Sequence, residues 1–491
     1  MALAFEQHAM GGSQSHPPSL EPQPSKFNGE IAHFRYTRDG DKTVLHCQYK
    51  DAKRSLEING DNIIGCVELR ETAGHKILFV EDANEASDAK TDQKVPTFKS
   101  AVAENLPDTF VSDYAIQHGN LVQDRSQSTE DGVGRLHIII SVLSGMGLAE
   151  EFYNRSLRPF LDSLDLREDL DYIVHRTTSA KTITELTNDV FLPRANQGLR
   201  QRIILLSGDG GIVDIINGLR INQRTESFVT PTVALVPMGT GNALANSSGI
   251  AQDKTLGLAA LARGTPSKLP LFRVLFSPGG RLLVDEGNSE EKLPDKNGGG
   301  TPVMYGAVVC SWAMHASLVA DSDTTEYRQY GVERFQMAAK EALYPKDGSE
   351  AHRYKADVKF MKSDGSWQKI DRHEHAYVLA TMVSNLEKNF DISPATRPLD
   401  GSLRLVHFGP MPSDRIMEIM GLAYQGGKHV QETEVGYEDV EGFRIDLDGA
   451  EEDDRWRRFC VDGKIVRVEK EGWAEVRKVK ERVLELLSLG S

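Results

Sequence analysis

The 491-residue sequence predicts an α/β domain built on a parallel sheet, with a β-rich region before it and a β-sandwich after it. Three observations predict this. Two apolar runs, residues 203–206 (I-I-L-L) and 233–236 (V-A-L-V), each pass straight into a glycine turn and then into helix-compatible sequence. Buried parallel strands read as continuous apolar runs of this kind. An earlier run, residues 136–142, does the same before Gly145 and Gly147. From about residue 270 the pattern turns to short strand-like segments.

Residues 1–26 are rich in Gly, Ser, His, Pro and Gln and read as a disordered tail, with no basic start or long apolar core of a signal peptide. Residues 27–130 form a β-rich region, with strand signals at 43–49, 56–58, 63–69 and 76–80 separated by polar turns. A small barrel or sandwich follows, structural or regulatory in role, with a pleckstrin-homology-like module as one form of it. Residues 126–134 are polar and glycine-containing, a linker.

The α/β domain spans 131–268. After Gly147, one helix face carries Leu148, Phe152, Leu157, Phe160, Leu161 and Leu164, with a kink at Pro159. Residues 172–175 form a strand that leads through a threonine-rich corner to Lys181 and a polar helix. The strand at 203–206 ends in Ser207-Gly208-Asp209-Gly210-Gly211, and Ile212, Ile215, Ile216 and Leu219 then form a helical stripe. The strand at 233–236 ends in Pro237-Met238-Gly239-Thr240-Gly241-Asn242. Strand, glycine turn and helix start point free backbone N–H groups and the positive helix end at an anion. Neighbouring turns of this kind make a crevice at the carboxyl edge of a parallel sheet. Asp209 sits in the middle of one, where a carboxylate does not bind phosphate. It holds magnesium or takes a proton.

The region 269–491 is β-rich. Residues 289–300 read as a surface insertion without fixed structure, and 303–316 as strand-like. Asp321 and Asp323 follow that run directly, and 331–343 is an amphipathic helix. His373-Glu374-His375 is read as a solvated strand entry, ahead of a buried strand at 376–383. The last segment, 473–487, places Trp473, Val476, Val483 and Leu487 on one face of a terminal helix.

The net charge of −15 argues against nucleic acid as partner and against simple electrostatic adhesion to anionic membranes. No apolar run approaches the ~18 residues needed to cross a bilayer. Cys47, Cys66, Cys310 and Cys460 are far apart with no C-x-x-C, the pattern of reduced buried thiols in a cytoplasmic protein.

S-G-D-G-x-x-x-D-x-x-N-G-L followed by V-P-x-G-T-G-N-A-L-A resembles the diacylglycerol kinase and sphingosine kinase superfamily of lipid kinases, the long-chain base kinases most of all. The resemblance implies an ATP-binding kinase domain over 131–268 and a lipid-substrate region over 269–491 whose end returns to the nucleotide. It puts the first phosphate loop at Ser141, Val142, Leu143, Ser144, Gly145 and Gly147, with Ser141 and Val142 where the family has Asn and Pro. It puts the adenosine corner at Thr177 and Lys181, and further nucleotide contacts at Gly208, Gly210, Asp214, Gly239, Thr240, Gly241 and Asn242. Arg328 and Arg334 match arginines that reach the triphosphate. Asp462, Gly463 and Lys464 match an Asp-Gly-Glu ending, with Lys464 in place of Glu.

The implied substrate contacts are Ser207, Gly208, Asp209 and Gly210, with Asp323 gripping a lipid amine. Asp209 is the expected base for the lipid hydroxyl, and ATP with Mg²⁺ near Asp209 and Asp214 the expected cofactors. No G-x-x-x-x-G-K-(S/T) supplies a Walker lysine, so the positive charge falls to Mg²⁺, Arg328, Arg334 and backbone N–H groups. The expected activity is transfer of the γ-phosphate of ATP to the primary hydroxyl of a sphingoid base, in a cytoplasmic protein with peripheral membrane contact. Three alternatives stay open: a ceramide or diacylglycerol kinase, an NAD-kinase-like enzyme, and a catalytically silent lipid-binding or scaffold protein. Ser141, Gly211, Asp214 and Lys464, which depart from the family pattern, favour the last.

Overall fold

In the computed structural model the strands expected at 203–206 and 233–236 lie side by side, Leu205 opposite Leu235 in parallel register. The structure describes residues 25–40, 42–51, 53–69, 74–82, 95–116, 121, 136–252, 254–295 and 300–490. The expected linker at 126–134 and nearly all of the expected tail lie outside the described residues.

The parallel sheet has six strands in the order Thr265–Lys268, Glu485–Ser488, Thr232–Pro237, Arg202–Ser207, Leu136–Ile140, Tyr172–Arg176. All neighbours run parallel except Thr265–Lys268, which pairs antiparallel with Glu485–Ser488. The inner strands are buried on both faces, as unbroken Ile, Leu and Val runs require. The helices after Leu136–Ile140 and Tyr172–Arg176 each contain a π turn just before a proline. Tyr153–Leu157 precedes Pro159 and Thr187–Phe191 precedes Pro193. Proline lacks the N–H that would close the regular ladder, so the kink expected at Pro159 takes the form of this widened turn.

Before this sheet, seven antiparallel strands run in the order Ser55–Asn59, Lys42–Tyr49, Glu30–Asp39, Lys26–Phe27, Thr97–Glu104, His75–Glu81, Ile63–Glu68. Helix Asp108–Tyr114 packs Phe110 and Tyr114 into their core. Arg263 joins this layer to the parallel sheet. Its guanidinium donates to the carbonyl of Ile64 at 2.9 Å and lies 4.8 Å from the centre of the Tyr114 ring.

The C-terminal half holds a six-stranded and an eight-stranded antiparallel sheet. They meet through Phe276 and Phe459, whose ring centroids are 6.1 Å apart. Helix Met314–Ser322 packs on the larger sheet, helix Glu333–Leu343 packs on that helix, and helix Ser413–Ala423 packs on the 3-10 turn Lys428–Gln431.

Four expectations are corrected here. Residues 473–487 are not a helix but the strands Trp473–Val479 and Glu485–Ser488. Ala474 and Val476 alternate with half-exposed Glu475 and Arg477, the period of a strand. The second of these strands completes the parallel sheet, so the boundary at 268/269 is crossed by the end of the chain. Residues 303–316 are not one strand. Val303–Gly306 and Val309–Ala313 are followed by helix Met314–Ser322, so Asp321 lies in a helical last turn and Asp323 just beyond it. Residues Ser289–Lys292 form an exposed hairpin strand with Arg281–Val284. Within His373-Glu374-His375, His375 is fully buried and accepted by the carbonyl of Ala356, and burial pushes its pKa down to about 4. The four cysteines are free and buried. Among the described residues no helix is long and apolar enough to cross a membrane.

Candidate active site

Three strand ends bring three turns to one edge of the sheet. Gly208 and Gly239 touch backbone to backbone. A Cβ on Gly239 would lie 2.5 Å from the Gly208 Cα, closer than carbon atoms approach. Gly145, at φ +56°, packs against Met238, where a side chain would meet the carbonyl oxygen at 2.4 Å. These positions need glycine for close approach, not only for a bend. The Ser144 hydroxyl accepts the Gly208 N–H at 3.1 Å, and the Thr177 hydroxyl accepts the Val142 N–H at 3.1 Å, which locks the first turn and the threonine corner to the second turn. Gly211 is explained by Ser207, whose Oγ would lie 2.6 Å from any Cβ there.

Asp209 opens helix Asp209–Ile221. Its Oδ2 accepts the N–H of Ala243 at 2.8 Å and its Oδ1 that of Leu244 at 3.1 Å. It therefore ties the second turn to the start of helix Ala243–Ser247, while Asn242 closes the third turn by bonding both the N–H and the carbonyl of Gly239. Burial raises the pKa of Asp209, and the two backbone donors oppose that shift. Each carboxylate oxygen keeps a second acceptor direction.

The carboxylates further along are engaged. Asp214, one turn into the helix, pairs with Lys464 Nζ at 2.9 Å. Burial raises the pKa of Asp214 and the ammonium lowers it. Two of the four departures from the expected motifs, Asp214 and Lys464, are thus partners. Asp462, at φ +47°, accepts the N–H groups of Ala307 at 2.6 Å, Val308 at 3.1 Å and Val309 at 2.6 Å. Burial pushes its pKa up to about 7. Its carboxylate ties the hairpin to residues 307–309, and Gly463 and Lys464 follow it directly. Asp323 shares its Oδ1 between Arg328 Nε at 3.1 Å and Arg334 Nη1 at 3.3 Å.

A cavity of about 1180 Å³ brings these parts together. Its wall includes Ser141, Val142, Leu143, Ser144, Gly145, Thr177, Ser207, Gly208, Asp209, Gly210, Asp214, Gly239, Thr240, Gly241 and Asn242. Asp323, Arg328, Arg334, Asp462, Gly463 and Lys464 line it as well. Two expected residues are not brought to it. Gly147, at φ +74°, lies outside the wall, and Lys181 is drawn off by an ion pair with Glu291 at 2.8 Å. That pair holds the threonine corner to the hairpin of Arg281–Val284, whose Leu282, Leu283 and Val284 also line the cavity.

The other end of the same cavity is apolar. Leu318, Phe335, Ala339, Leu343, Leu386, Phe390, Met417 and Met420 line it, from three helices and the segment after residue 384. Sequence reasoning missed this chamber. The signal present was the width of the apolar face on Ser413–Ala423. Ile416, Ile419 and Ala423 face the core, and Met417 and Met420 form a second stripe beside them.

Residues 135–274 match the family described as the diacylglycerol kinase catalytic domain. A stretch of 62 residues is 42% identical to sphingosine kinase B of Dictyostelium discoideum, 13% of this chain and 8% of that protein. The chain thus matches under a tenth of that relative's length. Among solved structures, a diacylglycerol kinase from Bacillus anthracis str. Sterne is 12% identical, with a TM-score of 0.45 over 74% of this chain and 98% of that one. Yeast NADH kinase complexed with NADH is 12% identical, with a TM-score of 0.34 over 73% of this chain and 84% of that one.

Proposed function

We propose that this chain, which carries a diacylglycerol kinase catalytic domain over residues 135–274, is an ATP-dependent lipid kinase acting on the primary hydroxyl of a sphingoid long-chain base. One observation carries the reading: a single cavity runs from the three glycine turns and Asp209 into a chamber of Leu, Phe and Met side chains. A nucleotide's phosphates suit the first end and an alkyl chain the second.

Gly208 and Gly239 meet backbone to backbone with no side chain between them, which fits a polyphosphate lying close against the turns. Arg328 and Arg334, held together by Asp323, and Lys464, held by Asp214, supply the positive charge. The carboxylates of Asp209, Asp214 and Asp462 are already engaged by backbone N–H groups or by lysine, which does not fit an ion held by the protein alone. Magnesium fits this site as the companion of the phosphates, where it neutralises charge. In the reaction the lipid hydroxyl oxygen bonds to the γ-phosphorus of ATP, its proton passes to a free lone pair of Asp209, and ADP leaves.

The test is transfer of labelled phosphate from ATP to sphinganine, ceramide and diacylglycerol by the full-length chain. Transfer to sphinganine is expected. Transfer to none of the three overturns the reading. Transfer to the neutral lipids alone favours the ceramide or diacylglycerol alternative. A silent lipid-binding protein is the second reading, favoured by the two backbone bonds on Asp209 and by Lys464 beside Asp214. It requires stabilisation by lipid with no phosphate transfer.

A further inference from the structure

Glu387 is a part-buried carboxylate of this cavity with neither a cation nor a backbone N–H among the partners of its side chain. It ends the strand Asn385–Glu387, which is bound to the third glycine turn's helix. Asn385 N–H donates to Ser247 Oγ at 2.9 Å, and Ser247 Oγ donates to the Asn385 carbonyl at 3.2 Å. The next carbonyl, of Leu386, lies 3.0 Å from where a Cβ on Gly241 would stand. This pins Glu387 beside the turn that carries the partners of Asp209.

One oxygen of Glu387 accepts the hydroxyl of Tyr424, and the other, Oε2, is buried with no partner among the described residues. Leu386, Phe390 and Met420 share the wall with it, and the Phe390 and Tyr424 rings meet edge to face at 4.8 Å. A buried anion beside apolar groups is unfavourable unless it is neutralised by a proton or a cation. Burial accordingly raises the pKa of Glu387, with no cation among the causes. Asp323 is in the opposite state. Two guanidiniums already share it, so an arriving ammonium meets net positive charge there.

We infer that Glu387, with Tyr424 holding it, receives the ammonium group of the lipid and makes the site select a cationic amino alcohol over a neutral lipid. This rests on the lipid-kinase reading of the same cavity, and it leaves Asp323 to position Arg328 and Arg334. A free amine supplies the donor and the charge that Oε2 lacks, whereas an N-acylated or glycerol headgroup supplies no charge.

The experiment compares wild-type, E387Q, E387D and D323N full-length proteins on sphinganine, N-acetylsphinganine and diacylglycerol. For E387Q the expected result is a KM for sphinganine raised about tenfold or more, with kcat little changed and the neutral lipids unaffected. E387D restores part of the selectivity. D323N lowers kcat and raises the KM for ATP while keeping the preference for sphinganine. Selectivity unchanged in E387Q, or lost in D323N alone, overturns the inference. If wild type transfers phosphate to no lipid, the kinase reading fails by itself. Sphinganine-dependent thermal stabilisation then decides this one: lost in E387Q, it supports the assignment; equal in both proteins, or absent from wild type, it overturns it.

Discussion

Replacing Lys464 by Ala tests the compensation at the heart of the cavity. The pair with Asp214 is 2.9 Å long, and the side chains are 28% and 15% exposed. Exposed pairs contribute roughly 0.2–1 kcal/mol and breaking a fully buried one costs roughly 3–5 kcal/mol, so this intermediate case should cost about 2 kcal/mol at neutral pH. The cost has a definite pH dependence. With the ammonium gone, burial is left to act alone on Asp214, and its folded pKa, already above the unfolded value, rises further. A group raised in this way leaves stability intact below the unfolded pKa, near 4, and removes it as pH climbs through the folded pKa. The difference between wild type and K464A should therefore be small near pH 4 and reach its full size by pH 7. Urea unfolding at both pH values measures it, and the double variant D214A/K464A should lose less than the sum of the single changes. An equal cost at pH 4 and pH 7, or none at either, would refute the view that Lys464 acts by neutralising Asp214.

Asp209→Asn should keep the fold, since its oxygen still caps one N–H of the Ala243–Ser247 helix, while kcat falls by about 10²–10⁴-fold in the labelled-phosphate assay. Gly239→Ala forces a Cβ to 2.5 Å from the Gly208 Cα and should cost about 1–3 kcal/mol in urea unfolding, together with ATP-dependent stabilisation. Met420→Trp shortens the apolar chamber, so the KM for a long-chain base should rise about tenfold and that for a short-chain base far less. A uniform change across chain lengths would show that Met420 does not line the path of the chain.

Most of the edge that carries the three glycine turns was legible in the sequence. Gly145, Gly208, Gly239 and Asn242 announce turns through their own backbone requirements, and the strands before them announce burial through unbroken Ile, Leu and Val. Residues 473–487 were misread because the spacing of Trp473, Val476, Val483 and Leu487 also satisfies a helix. A break at 480–484 separates two strands that belong to different sheets. The sequence marks the Asp321 and Asp323 pair by its place after an apolar run, but not its setting. An apolar run that ends in Trp312 and Ala313 gives no local mark of the turn into helix Met314–Ser322, where Ala313 takes the unusual φ of +64°.

The sequence by itself determined where the backbone bends and which face of each element is apolar, because those properties depend on residues within one or two turns of each other. Only the tertiary structure decided which charges meet. Asp214 found Lys464, Asp323 found Arg334, and Glu387 found a tyrosine and no cation. The chamber beside them belongs to no single segment. Its wall is assembled from helices Met314–Ser322, Glu333–Leu343 and Ser413–Ala423 and from the segment after residue 384. Charge neutralisation and enclosed volume are properties of surfaces brought together from distant parts of a chain, and no local pattern encodes them.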